Sequence, residues 1–361
     1  MNRKSIILLI IAGLLVSGGV VFGVVVVATW GEYNYSNTYY YDPGVPSSWE
    51  KVSFSSDVGS ININYNTTPT DYAVKLDLDI KVSGGFVAGK SFSSFFKPII
   101  WTNVSGSLIT FSLENKPTTW SIFPILQNII IDVILRTDVD YDIVASSLTG
   151  SIDLDIPDNM NLNSTMLGAT TGSIIVNAKE NVTFSGNFQV SAITGSVAVY
   201  AQKVNFSQGI TAASTTGSLT LNFTNSIMGD DMSGTLTTGS ITLSSYNMLY
   251  SQNSILDLKT ITGSINVDIF QYVDMGANIT GSMNTTTGSI DVDYVDNQPS
   301  VGASFFGEWT TGSYTRASSG GGFSSTSFNP FYSLDHSTAT STYTLNLKTT
   351  TGGIDVNGTS S

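Results

Sequence analysis

A Thr-Gly-Ser tripeptide returns along this chain at almost constant spacing, and that recurrence restricts the fold more than any other feature. It is centred on Gly150, Gly172, Gly195, Gly217, Gly239, Gly263, Gly288 and Gly312, with a Thr-Gly-Gly variant at Gly352, weaker copies around Gly59 and Gly106, and an out-of-phase copy at Gly281. From Gly150 to Gly312 the steps are 22, 23, 22, 22, 24, 25 and 24 residues; the steps Gly59 to Gly106 and Gly106 to Gly150 are 47 and 44, two periods each. A period in this range means one supersecondary unit stacked on copies of itself.

Each tripeptide opens an alternating segment. Ile152, Ile174, Val197, Leu219, Ile241, Ile265 and Ile290 lie two residues past the glycine, and Leu154, Val176, Val199, Leu221, Leu243, Val267 and Val292 lie four past. Period-2 alternation puts these on one face and Asp153, Thr220, Asn266 and Asp291 on the other, the pattern of a half-buried strand. A shorter alternation precedes the turn, as in Phe188, Val190 and Ala192, so two or three strands per coil fit. The glycines are expected at a corner where a Cβ would clash, beside hydroxyls that satisfy turn amides. Three inward residues at roughly 2 kcal/mol each do not order some 22 residues at about 1 to 2 kcal/mol apiece, so a coil needs its neighbours. From Gly59 to Gly352 the period implies about 13 coils, a rod roughly 60 Å long at the usual strand spacing. The expected fold is therefore an all-β β-solenoid, or β-helix, of about 22-residue coils over residues 58–356. Paired β-sandwiches, the rival, do not usually share one turn motif at fixed spacing.

Outside the array three segments stand apart. Ile6 to Trp30 carries no charge and is long enough to cross a bilayer; Arg3 and Lys4 precede it and acidic residues follow, so residues 1–30 read as a transmembrane anchor with a cytoplasmic N-terminus and an extracellular remainder. A cleaved signal peptide ending near Ala28 is the alternative. Lys4-Ser5 also resembles the processing site of archaeal type IV pilin precursors, without the acidic residue expected early in that helix. Residues 31–57 read as a juxtamembrane linker and first strands, with Tyr33, Tyr35, Tyr39, Tyr40 and Tyr41 at the headgroup level or in a plain linker. Residues 86–134 are bulky and apolar and read as an irregular cap or insertion. Residues 317–337 are Ser/Gly-rich and read as a mobile loop, with Phe323, Phe328, Phe331 and Tyr332 available for contact at the far end. A tail, 357–361, closes the sequence.

The repeated Thr-Gly-Ser, with the segments Ile131-Asp132-Val133-Ile134 and Ile152-Asp153-Leu154-Asp155-Ile156-Pro157, resembles adhesin domains of the DUF4097 type over about Val58 to Val356. That resemblance implies a solenoid-like, surface-associated protein, and brings no catalytic residue with it. Thr-Gly-Ser stands here where a Ser-Gly-Asp type of turn is frequent.

The chemistry of the chain points away from catalysis. A formal charge of −13 disfavours contact with nucleic acid. There is no cysteine. His336 is the single histidine, set in the Ser-rich segment, so no nucleophile–base pair is supported. Asp153/Asp155 and Asp291/Asp293 could offer oxygen ligands to calcium, but equivalent positions in the intervening coils are Thr, Asn, Tyr or Ser and form no carboxylate ladder, so no metal and no cofactor is expected. A polysaccharide-cleaving β-helix would need carboxylates gathered with basic residues, which are scarce. Sequons occur at Asn34, Asn66, Asn103, Asn163, Asn181, Asn205, Asn222, Asn278, Asn284 and Asn357, only slightly more than composition alone gives; Asn222, outward on its strand, is the informative one. The expected function is a non-catalytic, adhesin-like or envelope structural protein, tethered by one helix and contacting a cell-surface protein or glycan. Alternatives are an envelope sensor or scaffold working through a membrane partner, a pilin-like subunit, and a carbohydrate-active enzyme.

Overall fold

The computed structural model describes residues 30–42, 49–66, 72–84, 87–102, 108–116, 125–318, 323 and 329–359. The apolar run at the N-terminus, Asn103 and Phe328 lie outside them; among the described residues no helix is long and apolar enough to cross a membrane.

The chain is all-β, and its strands stack mostly in parallel. One coil shows how. Strand Phe188–Thr194 ends at Gly195, strand Val197–Gln202 follows, the backbone turns again at Lys203, and Asn205–Phe206 forms a two-residue third side before Ile210 starts the next coil. The strand after the glycine joins one long sheet: Val197 pairs with Ile174 on one side and Leu219 on the other. The strand before it joins a second sheet, where Val190 lies between Leu167 and Ala212. The short sides form a third column from Thr183–Phe184 to Leu249–Tyr250.

Alternation decides what lies inside. All fourteen aliphatic residues expected to face inward after the glycines are buried. The third side adds a column that the alternation did not reveal, including Val182, Phe184, Val204, Phe206, Met228 and Met248. Phe184 and Phe206 stack with centroids 5.0 Å apart, so this side is a dry wall of its own.

Among the described residues eleven coils carry both long strands, where about 13 were expected. The difference lies at the ends, where sequence order and stacking order part. Coil Trp49–Asn66 abuts the coil of Asp140–Ile156 directly, and strands Ile109–Leu113 and Ile125–Arg136 form a coil on its other side. The segment 86–134 is therefore only partly an irregular insertion. Beyond that coil, Val74–Gly84 and then Gly31–Tyr41 add antiparallel, so the strands expected within 31–57 begin at Gly31. At the other end Ser341–Thr351 and Ile354–Thr359 slip between the Ile279–Asp296 coil and the Val301–Ser318 coil.

The described residues of 317–337 also differ from the expected loose loop. Phe323 and Phe331 are buried, 4.6 Å apart, and Phe323 packs on Tyr294 and Phe305. They close the core because the last coil has no neighbour to cover it. Their burial removes both from the proposed contact surface.

Candidate functional site

The tripeptide corner is the feature the sequence singled out, and the structure brings its copies together. Gly150, Gly172, Gly195, Gly217, Gly239, Gly263, Gly288, Gly312 and Gly352 all have φ between 129° and 148°. A Cβ on Gly172 would lie 2.1 Å from the carbonyl oxygen of Gly150, and one on Gly217 2.1 Å from that of Gly195. The same contact orders the column as Gly59, Gly150, Gly172, Gly195, Gly217, Gly239, Gly263, Gly288, Gly352, Gly312. Each corner bonds to the next: Gly172 N–H donates to the Thr194 carbonyl at 2.9 Å, and Ser173 N–H to the Ser151 hydroxyl at 3.2 Å. Glycine here is a steric requirement and the serine a rung of the same ladder.

The threonines before these glycines stand in register and face water: Thr149, Thr171, Thr194, Thr216, Thr238, Thr262, Thr287, Thr351 and Thr311. At about 4.8 Å per rung the column runs roughly 40 Å. Beside its start, a shallow groove of about 510 Å³ crosses the second sheet, floored by Ser55, Ser112, Ser146, Gly168 and Ser191 and edged by Leu148 and Ile193.

A second corner was not legible beforehand. Asn159, Asn181, Lys203, Asn225 and Asn247 all have φ between 50° and 63°. Asn tolerates this left-handed region because its short polar side chain bonds locally. Asn181 Nδ2 donates to Asn159 Oδ1 at 3.1 Å, and Asn247 Nδ2 to Asn225 Oδ1 at 3.3 Å. The signal was four Asn at the coil period, interrupted by Lys203.

The outward carboxylates divide into pairs with different partners. Asn177 Nδ2 reaches Asp155 Oδ1 at 2.6 Å, and Asn357 Nδ2 reaches Asp293 Oδ1 at 2.9 Å. Partial burial and then Asp155 raise the pKa of Asp153; burial and then Asp293 raise that of Asp268; burial and then Asp355, its register partner, raise that of Asp291. Among the described residues no three acidic or histidine side chains are placed to hold a metal ion. His336 is half-buried against Tyr332, ring centroids 4.9 Å apart. Of the sequons, Asn34, Asn163, Asn181, Asn278 and Asn357 are exposed, while Asn66, Asn205, Asn222 and Asn284 are half-buried. Asn222 does point outward, but it lies low between its register partners Tyr200 and Ser244.

No family model matches the chain, so the DUF4097-type family is not assigned, and no curated protein matches it. Two solved structures resemble it over most of its length. One, from Clostridium sporogenes ATCC 15579 and provisionally described as a cell adhesion protein, is 10% identical with a TM-score of 0.21, covering 90% of this chain and all of the other. The second, from Bacteroides fragilis NCTC 9343 and provisionally described as an adhesin, is 10% identical with a TM-score of 0.34, covering 90% of this chain and 97% of the other. Both likenesses are weak, and no residue role passes from either.

Proposed function

We propose that this chain is a surface-displayed β-solenoid of the adhesin kind, held to the membrane by residues 6–30 and acting by contact rather than catalysis. The observation that supports this reading most is the threonine column. Nine exposed hydroxyls repeat at one spacing along a rigid corner, with a serine-floored groove beside them. A ladder of identical donors and acceptors suits a ligand that itself repeats, such as a glycan chain or a hydroxyl-rich cell-surface protein. The acidic outer faces disfavour polyanions as partners. In this reading the N-terminus is cytoplasmic, the coils are extracellular, and the exposed sequons are the ones open to glycosylation.

The test is binding of the full chain to purified cell-surface polysaccharides and intact cells. Thr216→Lys with Thr238→Lys, both exposed, interrupts the column without touching the core. Loss of binding with an unchanged melting temperature supports the reading; undiminished binding removes the column as the contact surface. Shortening of any bound polysaccharide would overturn the non-catalytic assignment.

A further inference from the structure

The acidity of this protein is not spread evenly. Residues 137–361 hold 18 Asp and Glu against Lys179, Lys203, Lys259, Arg316 and Lys348, whereas residues 87–116 hold Lys90, Lys97 and Lys116 against Glu114 alone. The described residues of that second stretch lie across the N-terminal end of the stack. Ala88 sits against Gly31, Phe95 packs on Tyr33, Phe92 on Tyr35 and Trp101 on Tyr39, so the segment bridges the outermost strands of both sheets. The tyrosines set aside for a headgroup belt are thus largely taken up: Tyr33, Tyr35 and Tyr39 face these rings. What the end presents instead is Trp30, Ile100 and Leu108, each about half exposed, with Trp101 partly exposed beside them. Ile100 and Trp101 lie on the edge strand of the second sheet, and Trp30 stands immediately before the edge strand of the first.

We infer that this end of the rod is a foot that rests on a lipid surface, with Trp30, Ile100 and Trp101 entering the headgroup region and Lys90 and Lys116 meeting lipid phosphates. Three features select lipid as the occupant. The apolar run outside the described residues reaches Trp30, one residue before the outermost strand, so no spacer separates a bilayer from this end. Amphipathic aromatics and long basic side chains are the residues that settle at a membrane–water boundary. The local excess of lysine complements anionic headgroups while the acidic remainder is repelled by them, which holds the rod upright. The inference rests on the proposed tether only for the side from which the membrane approaches.

The absence of cysteine makes the test clean. Ile100→Cys and, at the opposite end, Leu334→Cys each take one environment-sensitive fluorophore in the full chain, mixed with phosphatidylcholine–phosphatidylglycerol vesicles carrying a spin-labelled quencher lipid. Lys90→Cys, at an exposed position, serves as a second site on the foot. The expected result is loss of most emission at 100 and 90 with none at 334, in a chain that resists alkaline extraction. Quenching at both ends, or at neither in a chain that stays with the vesicles after extraction, overturns the foot and leaves the tether. Quenching at 100 in a chain that alkali strips away keeps the foot and removes the tether; no flotation at all overturns both.

Discussion

The middle of this rod and its two ends meet the same need, covering strand edges and an apolar interior, by opposite means. Between Asp140 and Asp296 every coil is covered by the next, so one set of corner residues serves throughout. At the ends there is no next coil. The chain there changes strand direction, fills the opening with Phe92, Phe95 and Phe96 at one end and Phe323 and Phe331 at the other, and places a coil out of sequence order. Repetition stabilises only what lies between copies, and each end needs residues used once.

The sharpest way to break this contrast is to add a side chain to a glycine in each region. Gly217→Val should abolish the folded stack or cost about 4 kcal/mol or more in denaturant unfolding, because the new atoms meet the Gly195 carbonyl. Gly89→Ala, at the N-terminal end and with nothing within 4 Å, should cost only about 1 to 2 kcal/mol for its φ of 74°. Equal losses would mean that the corner is not sterically special. Next in size is Phe323→Ala, expected to cost about 3 to 5 kcal/mol. Hydrogen exchange should show that loss as opening confined to the last coils, with the middle still protected; uniform loss would show that ends and middle unfold as one unit.

Smaller still is the second corner. Asn225→Ala should cost about 1 kcal/mol and Asn225→Gly much less, since only the left-handed backbone must be held. The smallest effect is electrostatic. Asp153, Asp268 and Asp291 have raised pKa values in the folded chain, so the fold binds their protons more tightly than the unfolded chain does. Their ionisation therefore weakens the fold, and the melting temperature should rise as pH falls from 7 through their raised values toward the ordinary value of 3.8. Asp291→Asn should capture part of that gain at pH 7. Asp77, near the N-terminal end, has the opposite sign: burial pushes its pKa up, but hydrogen bonds from Lys75 and Thr38 outweigh it and lower it. The stability it contributes is lost as pH falls below 3.8.

The periodic part was legible because the physics there repeats. Gly195 and Val197 reappear as Gly217 and Leu219, and each copy reinforces the same inference. The asparagine corner was harder to read because Lys203 occupies one rung. The ends were legible only in part: the apolar segment with Phe92, Phe95 and Phe96 read as a cap, but a coil placed out of order leaves glycine spacing looking like missing repeats, so the interval from Gly59 to Gly150 suggested intermediate coils where the two glycines touch. Phe323 and Phe331 looked like exposed contact residues because nothing local in sequence shows what they cover. Of the candidate surface, the threonine positions were visible as residues, while their continuous exposure needed the register of nine strands.

The interleaving at the far end also bears on how the rod is made. Residues 341–359 are synthesised after both of the coils that flank them, yet their place is between those two coils. Winding from the first coil to the last cannot finish the structure; the Val301–Ser318 coil must stay away, or leave, until the final strands have entered. A stack built this way is completed by insertion rather than by simple addition, so its outermost coil precedes in sequence the coil it covers.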